Sequence, residues 1–289
     1  MYFAVDPCNP VLVTDAIMAA IDKRPELNWF ALMDGAFDAD EKSTPEFAQK
    51  YCLYDSDALH ELMAVSPYLV ELPAMNAISL RTMLMKLARH RRNRPMLSFI
   101  ASAHSGQDIA GRWKKLVNIR GTDQTEFILR FADTRILESV PGCPQGRLWQ
   151  VLSATIEEWN YPDRAGEVVF LKPARTAEEC SEIVLTDEEF GFLVEAGTPD
   201  HVISIIERDY PELLPEKDHA KFYIKIAEAR RLSLEYDIES FPDIVGISIY
   251  ALVSKDDIRT DSRLLSLLRS ASWIRGNLID NLYDLLDES

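Results

Sequence analysis

The sequence predicts an α/β (mixed α+β) N-terminal lobe followed by an all-α helical C-terminal lobe, and three observations carry this. Short apolar runs of strand type alternate with helical patterns in the first half. Helical spacing alone continues in the second. The charge changes at the same place: residues 1–160 hold 17 basic and 20 acidic side chains, residues 161–289 hold 14 and 27. Net charge thus moves from −3 to −13 across residue 160. The expected domains are 1–165, α/β, and 180–289, an acidic helical lobe, with the boundary at 162–166 or in the polar stretch 172–181.

The elements follow in order. Trp29-Phe30-Ala31-Leu32-Met33 reads as a buried strand that ends at Asp34-Gly35. Residues 67–72 and 96–100 read similarly, and 126–131 alternates as a half-buried strand should. Thr44-Pro45 offers a cap and a first-turn proline for a helix. Ser105 and Asp108 have capping-box spacing for a helix over 105–117. Asp133 can cap a helix through Ile136 and Leu137, and Arg135 can bridge to a neighbouring carboxylate. In the second half, Thr186 and Glu189 form a capping box for a helix that stops at Gly197. Thr198-Pro199 restarts the chain, with Val202, Ile203 and Ile206 at helical spacing. Further helices are expected at 217–235, 241–253, 261–270 and 272–286, the last with Ile274, Leu278, Leu282 and Leu285/Leu286 on one stripe.

Function is bounded mostly by exclusion. With 289 residues, 47% hydrophobic and 27% charged, the chain is of ordinary globular composition. A net charge of −16 argues against a general nucleic-acid binder. Cys8, Cys52, Cys143 and Cys180 stand far apart, which argues for reduced, mostly buried thiols rather than a disulfide framework or zinc site. The opening residues lack a basic leader, and the longest apolar stretch, 244–253, is too short to cross a bilayer. A cytoplasmic protein without membrane partners is expected.

Chemical motifs come near and then fail. Residues 106–113 have the two-glycine spacing of a phosphate loop, but Arg112 and Trp113 stand where its lysine and hydroxyl belong. His60, His90, His104, His201 and His219 are dispersed, and neither a nucleophile elbow nor a dinucleotide turn is present. No catalytic residue, cofactor or metal site is therefore expected. Trp29, Trp113, Trp149 and Trp159 read as core or interface aromatics. The stretch from Arg81 to Arg94 carries six Arg and Lys residues and no acid. Leu80, Met83, Leu84 and Leu87 form its apolar face, with the basic residues largely opposite. Arg89, Arg91, Arg92 and Arg94, with Asp133 and Arg135, are the candidate partner-binding residues, since each offers charge-assisted contacts. The same residues also suit a solvated helix end and a helix cap.

Five landmarks in fixed order carry a resemblance. They are Trp29 to Ala36 with its "LLDGA"-type turn, Leu53-Tyr54 with Val65 to Leu72 ("LY…PYLVEL"), Ser98 to Ser102, the helix into Trp113-Lys114-Lys115-Leu116, and Phe131-Ala132-Asp133-Thr134-Arg135-Ile136-Leu137. Together, over about residues 28–160, they resemble the type VI secretion effector chaperone or adaptor family. Thr134 departs from the family's usual proline, and Lys114-Lys115 replaces an arginine-rich run. The helical tail is similar to the C-terminal lobe of many members.

The resemblance implies a non-enzymatic adaptor without cofactor. Its partners would be a cognate type VI effector and the spike protein VgrG onto which the effector is loaded. Two other readings stay open on the residues: a metal-dependent hydrolase or nuclease, itself a toxin, using Asp34 and Asp133, and a nucleic-acid-binding regulator using residues 81–94.

Overall fold

Five apolar residues in succession at 29–33 leave no polar face, so a strand made of them has to be covered on both sides. The computed structural model describes residues 1–39, 44–47, 49–72, 76–174 and 183–287, and it places this strand inside a sheet. In chain order the elements are α1 (Pro10–Lys23), β1 (Asn28–Met33), β2 (Tyr51–Cys52), β3 (Tyr68–Leu72), α2 (Ala77–Arg91), β4 (Leu97–Ser102), α3 (Gly106–Trp113), β5 (Asn118–Gly121) and β6 (Glu126–Ile128). Then come α4 (Thr134–Ser139), α5 (Arg147–Ser153), β7 (Glu158–Pro162), β8 (Val168–Leu171) and β9 (Val184–Leu185). Five helices close the chain: α6 (Asp187–Asp209), α7 (His219–Glu235), α8 (Phe241–Val253), α9 (Ser262–Ser270) and α10 (Leu278–Asp287).

The large sheet has the order β2-β3-β1-β4-β7-β8, with every neighbour antiparallel. Alternation sends Phe30 and Leu32 to one face, beside Leu69, Ile100 and Trp159, where Ile109 and Trp113 of α3 and Leu148 and Leu152 of α5 pack. It sends Trp29, Ala31 and Met33 to the other, against Val13 and Ile17 of α1 and Leu84 and Leu87 of α2. Trp29, Trp113, Trp149 and Trp159 are all buried. Each indole N–H is satisfied: Trp29 donates to the Arg24 carbonyl, Trp113 to Leu152, Trp149 to Lys172, and Trp159 to Ser98 Oγ. A second sheet of order β6-β5-β9 pairs β5 antiparallel to β6 and parallel to β9. The fold is a mixed α/β N-terminal region followed by a mostly helical C-terminal part.

Contacts divide the chain into two bodies, residues 5–196 and residues 197–289 with 1–4. The stretch 162–166 is the turn of the β7–β8 hairpin, closed by Asp163 N–H donating to the Glu167 carbonyl at 2.8 Å. Most of 172–181, including Cys180, lies outside the described residues. In the helical body, α8 is buried at every position from Asp243 to Ala251. Around it pack Ile203 and Ile206 of α6, Ile226 of α7, Leu264 and Leu268 of α9, and Leu278 and Leu282 of α10.

Four expectations are corrected. No helix follows Thr44-Pro45: residues 44–47, 49 and 50 are non-helical and lead into β2. Phe47 there packs on Tyr68, with ring centroids 6.3 Å apart, and strand pairing at Tyr51 outweighs a helix too short to nucleate alone. The strand at 126–131 ends at Ile128, because the chain turns at Arg130, whose carbonyl accepts from Asp133 N–H. Helix α6 does not stop at Gly197 but runs on through Pro199. An interior proline costs about 3 kcal/mol, whereas burying Val202, Ile203 and Ile206 returns about 1.5–3 kcal/mol each. Finally, the last helix begins at Leu278 rather than 272, and Ile274 is exposed outside it. The Asp243 carboxylate accepts from the Gly276 and Leu278 N–H groups at 2.8 and 2.9 Å, which fixes that start.

Candidate functional site

The turn that ends β1 is where three of the five sequence landmarks meet, those of residues 29–36, 53–72 and 131–137. Asp34 accepts from its own turn, Ala36 N–H to Oδ1 at 3.0 Å, and thereby caps the short 3-10 segment Gly35–Asp38. Gly35 is required by close approach: a Cβ there would collide with the Ser66 carbonyl. Ser66 in turn organises the second landmark, its Oγ accepting from the N–H groups of Leu53 and Tyr54 and donating to the Pro67 carbonyl at 2.8 Å. The "LY" and "SPY" residues are therefore one hydrogen-bonded unit, and the "DGA" turn packs closely against it.

Two ion pairs close over this turn. Arg130 Nη2 donates to Asp34 Oδ2 at 2.8 Å. Arg135 grips Asp133 with two parallel bonds, Nε to Oδ1 at 3.0 Å and Nη2 to Oδ2 at 2.7 Å, the bidentate geometry a guanidinium favours. Asp133 also caps α4 through Arg135 N–H. Both guanidinium carbons stand near the Phe37 ring, at 5.4 Å for Arg130 and 5.8 Å for Arg135. Burial pushes the Asp34 carboxyl up from its ordinary range, and the Arg130 charge pulls it part of the way back. Burial beside this acid also pushes the Tyr54 hydroxyl up to about 12.

The basic stretch reaches the same turn from the other side. Arg94 Nη1 donates to the Phe37 carbonyl at 2.8 Å and to Asp38 Oδ1 at 3.1 Å, and His90 Nε2 lies 2.8 Å from that same oxygen. Arg94 also bonds the His90 carbonyl. Arg91 is wholly buried and donates to the carbonyls of Asp6, Arg92, Pro162 and Asp163, with 2.9 Å to the last. Desolvation lowers its pKa, and those carbonyls take the place of water.

Of the six candidate residues, Arg91, Arg94 and Asp133 are buried, Arg135 is half-buried against Asp133, and Arg89 and Arg92 are exposed. The structure brings Asp133, Arg135 and Arg94 around one turn and leaves Arg89 and Arg92 on the surface. Arg130 and Phe37 complete that turn and were not singled out by sequence, and Ser66 lay within the second landmark without a role assigned to it. Arg130 ends an alternating run, so its period assigns it to a strand face rather than to a partner ninety-six positions away. Among the described residues, no group of three or more His, Cys, Asp or Glu is disposed to hold a metal ion. Asp34 and Asp133 are each engaged by an arginine and a backbone N–H.

The segment that builds this turn also has a counterpart elsewhere. Residues 29–147 match the model of a domain family described as a domain of unknown function, DUF4123. The match runs from the first residue of the apolar strand to the first residue of α5, and so takes in every residue of the cluster. No curated protein and no solved structure matches the chain. No helix among the described residues is long and apolar enough to cross a membrane.

Proposed function

We propose that this chain is a cytoplasmic, non-enzymatic adaptor that binds a type VI secretion effector and helps load it onto the spike protein VgrG. The match of residues 29–147 to the DUF4123 family carries the reading, because the same span holds the five ordered motifs that resemble the effector chaperones. The geometry is in keeping with it. The motif residues are spent on one another, as suits a scaffold that must keep its shape while its surfaces engage partners.

Adaptor contacts then fall on exposed residues rather than on the motif cluster. Among the candidate residues of the basic stretch these are Arg89 and Arg92, at the end of α2. The test is co-expression with the effector and spike encoded beside it. A complex of adaptor with effector, or of all three, should co-purify. Failure with every cognate pair would overturn the proposal.

A further inference from the structure

The β8 edge of the large sheet, unpaired among the described residues, carries a site that the adaptor reading does not use. β8 is the last strand in the order, and its ladder with β7 decides which of its backbone groups are already bonded. Asp163 donates to Glu167, and the pairs Tyr161↔Val169 and Trp159↔Leu171 follow at every second position. In an antiparallel ladder these are the hydrogen-bonded pairs. The backbone N–H and C=O of Val168 and Phe170 therefore point away from β7, and among the described residues they find no other partner. The Phe170 ring beside them is 60% exposed.

Asn160 stands directly opposite Phe170, in a non-hydrogen-bonded pair whose side chains share one face. Asn160 is only 1% exposed, yet its Nδ2 has no hydrogen-bond partner. Leaving such a donor unmade costs about 1–3 kcal/mol. Asn160 and Phe170 line a cleft of about 750 Å³, together with Ala16, Ala20 and Lys23 of α1 and Lys172.

We propose that β8 and this cleft bind an extended peptide segment of a partner protein, which adds a strand beside β8 and sets opposite Phe170 a side chain bearing a hydrogen-bond acceptor for Asn160. Unbonded edge amides call for extended backbone, and the buried amide calls for the acceptor. Strands about 4.8 Å apart put the new residue's Cα roughly 10 Å from that of Asn160, a span that a Gln or Glu side chain bridges together with the Asn amide. A second copy of this chain does not meet the requirement. Antiparallel pairing of two β8 strands through their outward-facing residues sets Val168, Phe170 or Lys172 opposite Phe170, and none carries an acceptor. The inference holds whatever protein the segment belongs to, so it stands or falls apart from the adaptor reading.

The experiment is selection of a displayed library of random short peptides on the intact chain. Enriched peptides should alternate in polarity and share a Gln or Glu at one fixed position. Phe170→Pro removes one outward N–H and leaves the β7 ladder whole, and Asn160→Leu removes the buried amide. Each should weaken the selected peptide about tenfold, the worth of one well-placed hydrogen bond. On the unaltered chain, bound peptide should slow amide exchange at Val168 and Phe170, which keeps the test valid if a variant folds poorly. Three results would overturn the proposal: no enriched peptide, equal binding to Phe170→Pro, or protection confined to another part of the chain. A reversible dimer abolished by Phe170→Pro would make the second copy the occupant and would also overturn it.

Discussion

The Asp34–Arg130 pair shows how one residue couples chain segments far apart in sequence. Asp34 is fully buried, whereas the Arg130 side chain is 35% exposed, so desolvation falls mainly on the acid. Because burial raises the Asp34 pKa, the folded state holds this proton more tightly than the unfolded chain does. Its contribution to stability is complete below the unfolded value and is lost as pH rises through the folded one. Removing Arg130 takes away the charge that offsets the burial. We therefore expect Arg130→Met to cost about 2–3 kcal/mol near neutral pH, less than the 3–5 kcal/mol typical of a fully buried pair. That deficit should shrink on acidification, as Asp34 takes up its proton. Urea titrations of both proteins from pH 4 to 7 check this, and a deficit independent of pH would count against the coupling. The capping roles of Asp133 and Ser105 were legible from spacing, because a cap is local. Arg130 was not, because its partner is set by tertiary folding.

At the scale of elements, short side chains decide where the helices of the second body begin. Asp261 caps α9, accepting from the Arg263 and Leu264 N–H groups at 3.0 and 3.2 Å, and also takes the Tyr250 hydroxyl of α8. Burial works against the ionised form, but the Tyr250 hydroxyl and the two amides outweigh it and lower the Asp261 pKa. The stability this confers is present above the unfolded value and is lost as pH falls through the folded one. Asp261→Ala should cost about 1–2 kcal/mol at neutral pH, the usual worth of a cap. Asp261→Asn should recover most of that, since its amide oxygen still accepts. Thermal melts of the two variants read the difference, and an equal loss for both would place the effect in the charge rather than the cap. The periods of α7 and α9 were readable because each buries a regular stripe, whereas α8, buried all round, was readable as a continuous apolar run. The true start of α10 was not, because Asp243 sets it from thirty-five residues away.

At the scale of the whole molecule, charge and connectivity are both redistributed by folding. The helical body of residues 1–4 and 197–289 holds 11 basic and 18 acidic side chains, and the body of residues 5–196 holds 20 and 29. The acidity read at residue 160 is thus shared between the bodies, because β8, β9 and the first turns of α6 belong with the sheets. The chain also begins inside the body that it later completes. The Tyr2 hydroxyl bonds His219 Nδ1 at 2.8 Å, its ring meets Phe222 edge-on at 5.7 Å, and Ala4 is buried in the same core. Four residues carry no periodicity, so nothing in the sequence could assign them to helices two hundred positions away. Their placement makes a specific demand on stability. Tyr2→Ala should destabilise the helical body by about 1–2 kcal/mol, through lost apolar burial and one hydrogen bond. Because bodies of this kind open as separate cooperative units, the loss should appear as faster amide exchange in α7 and α8, with β1 and β4 unchanged. Equal acceleration in both bodies would show that residues 1–4 serve the chain as a whole, and no acceleration would show that the terminal contacts add nothing to stability.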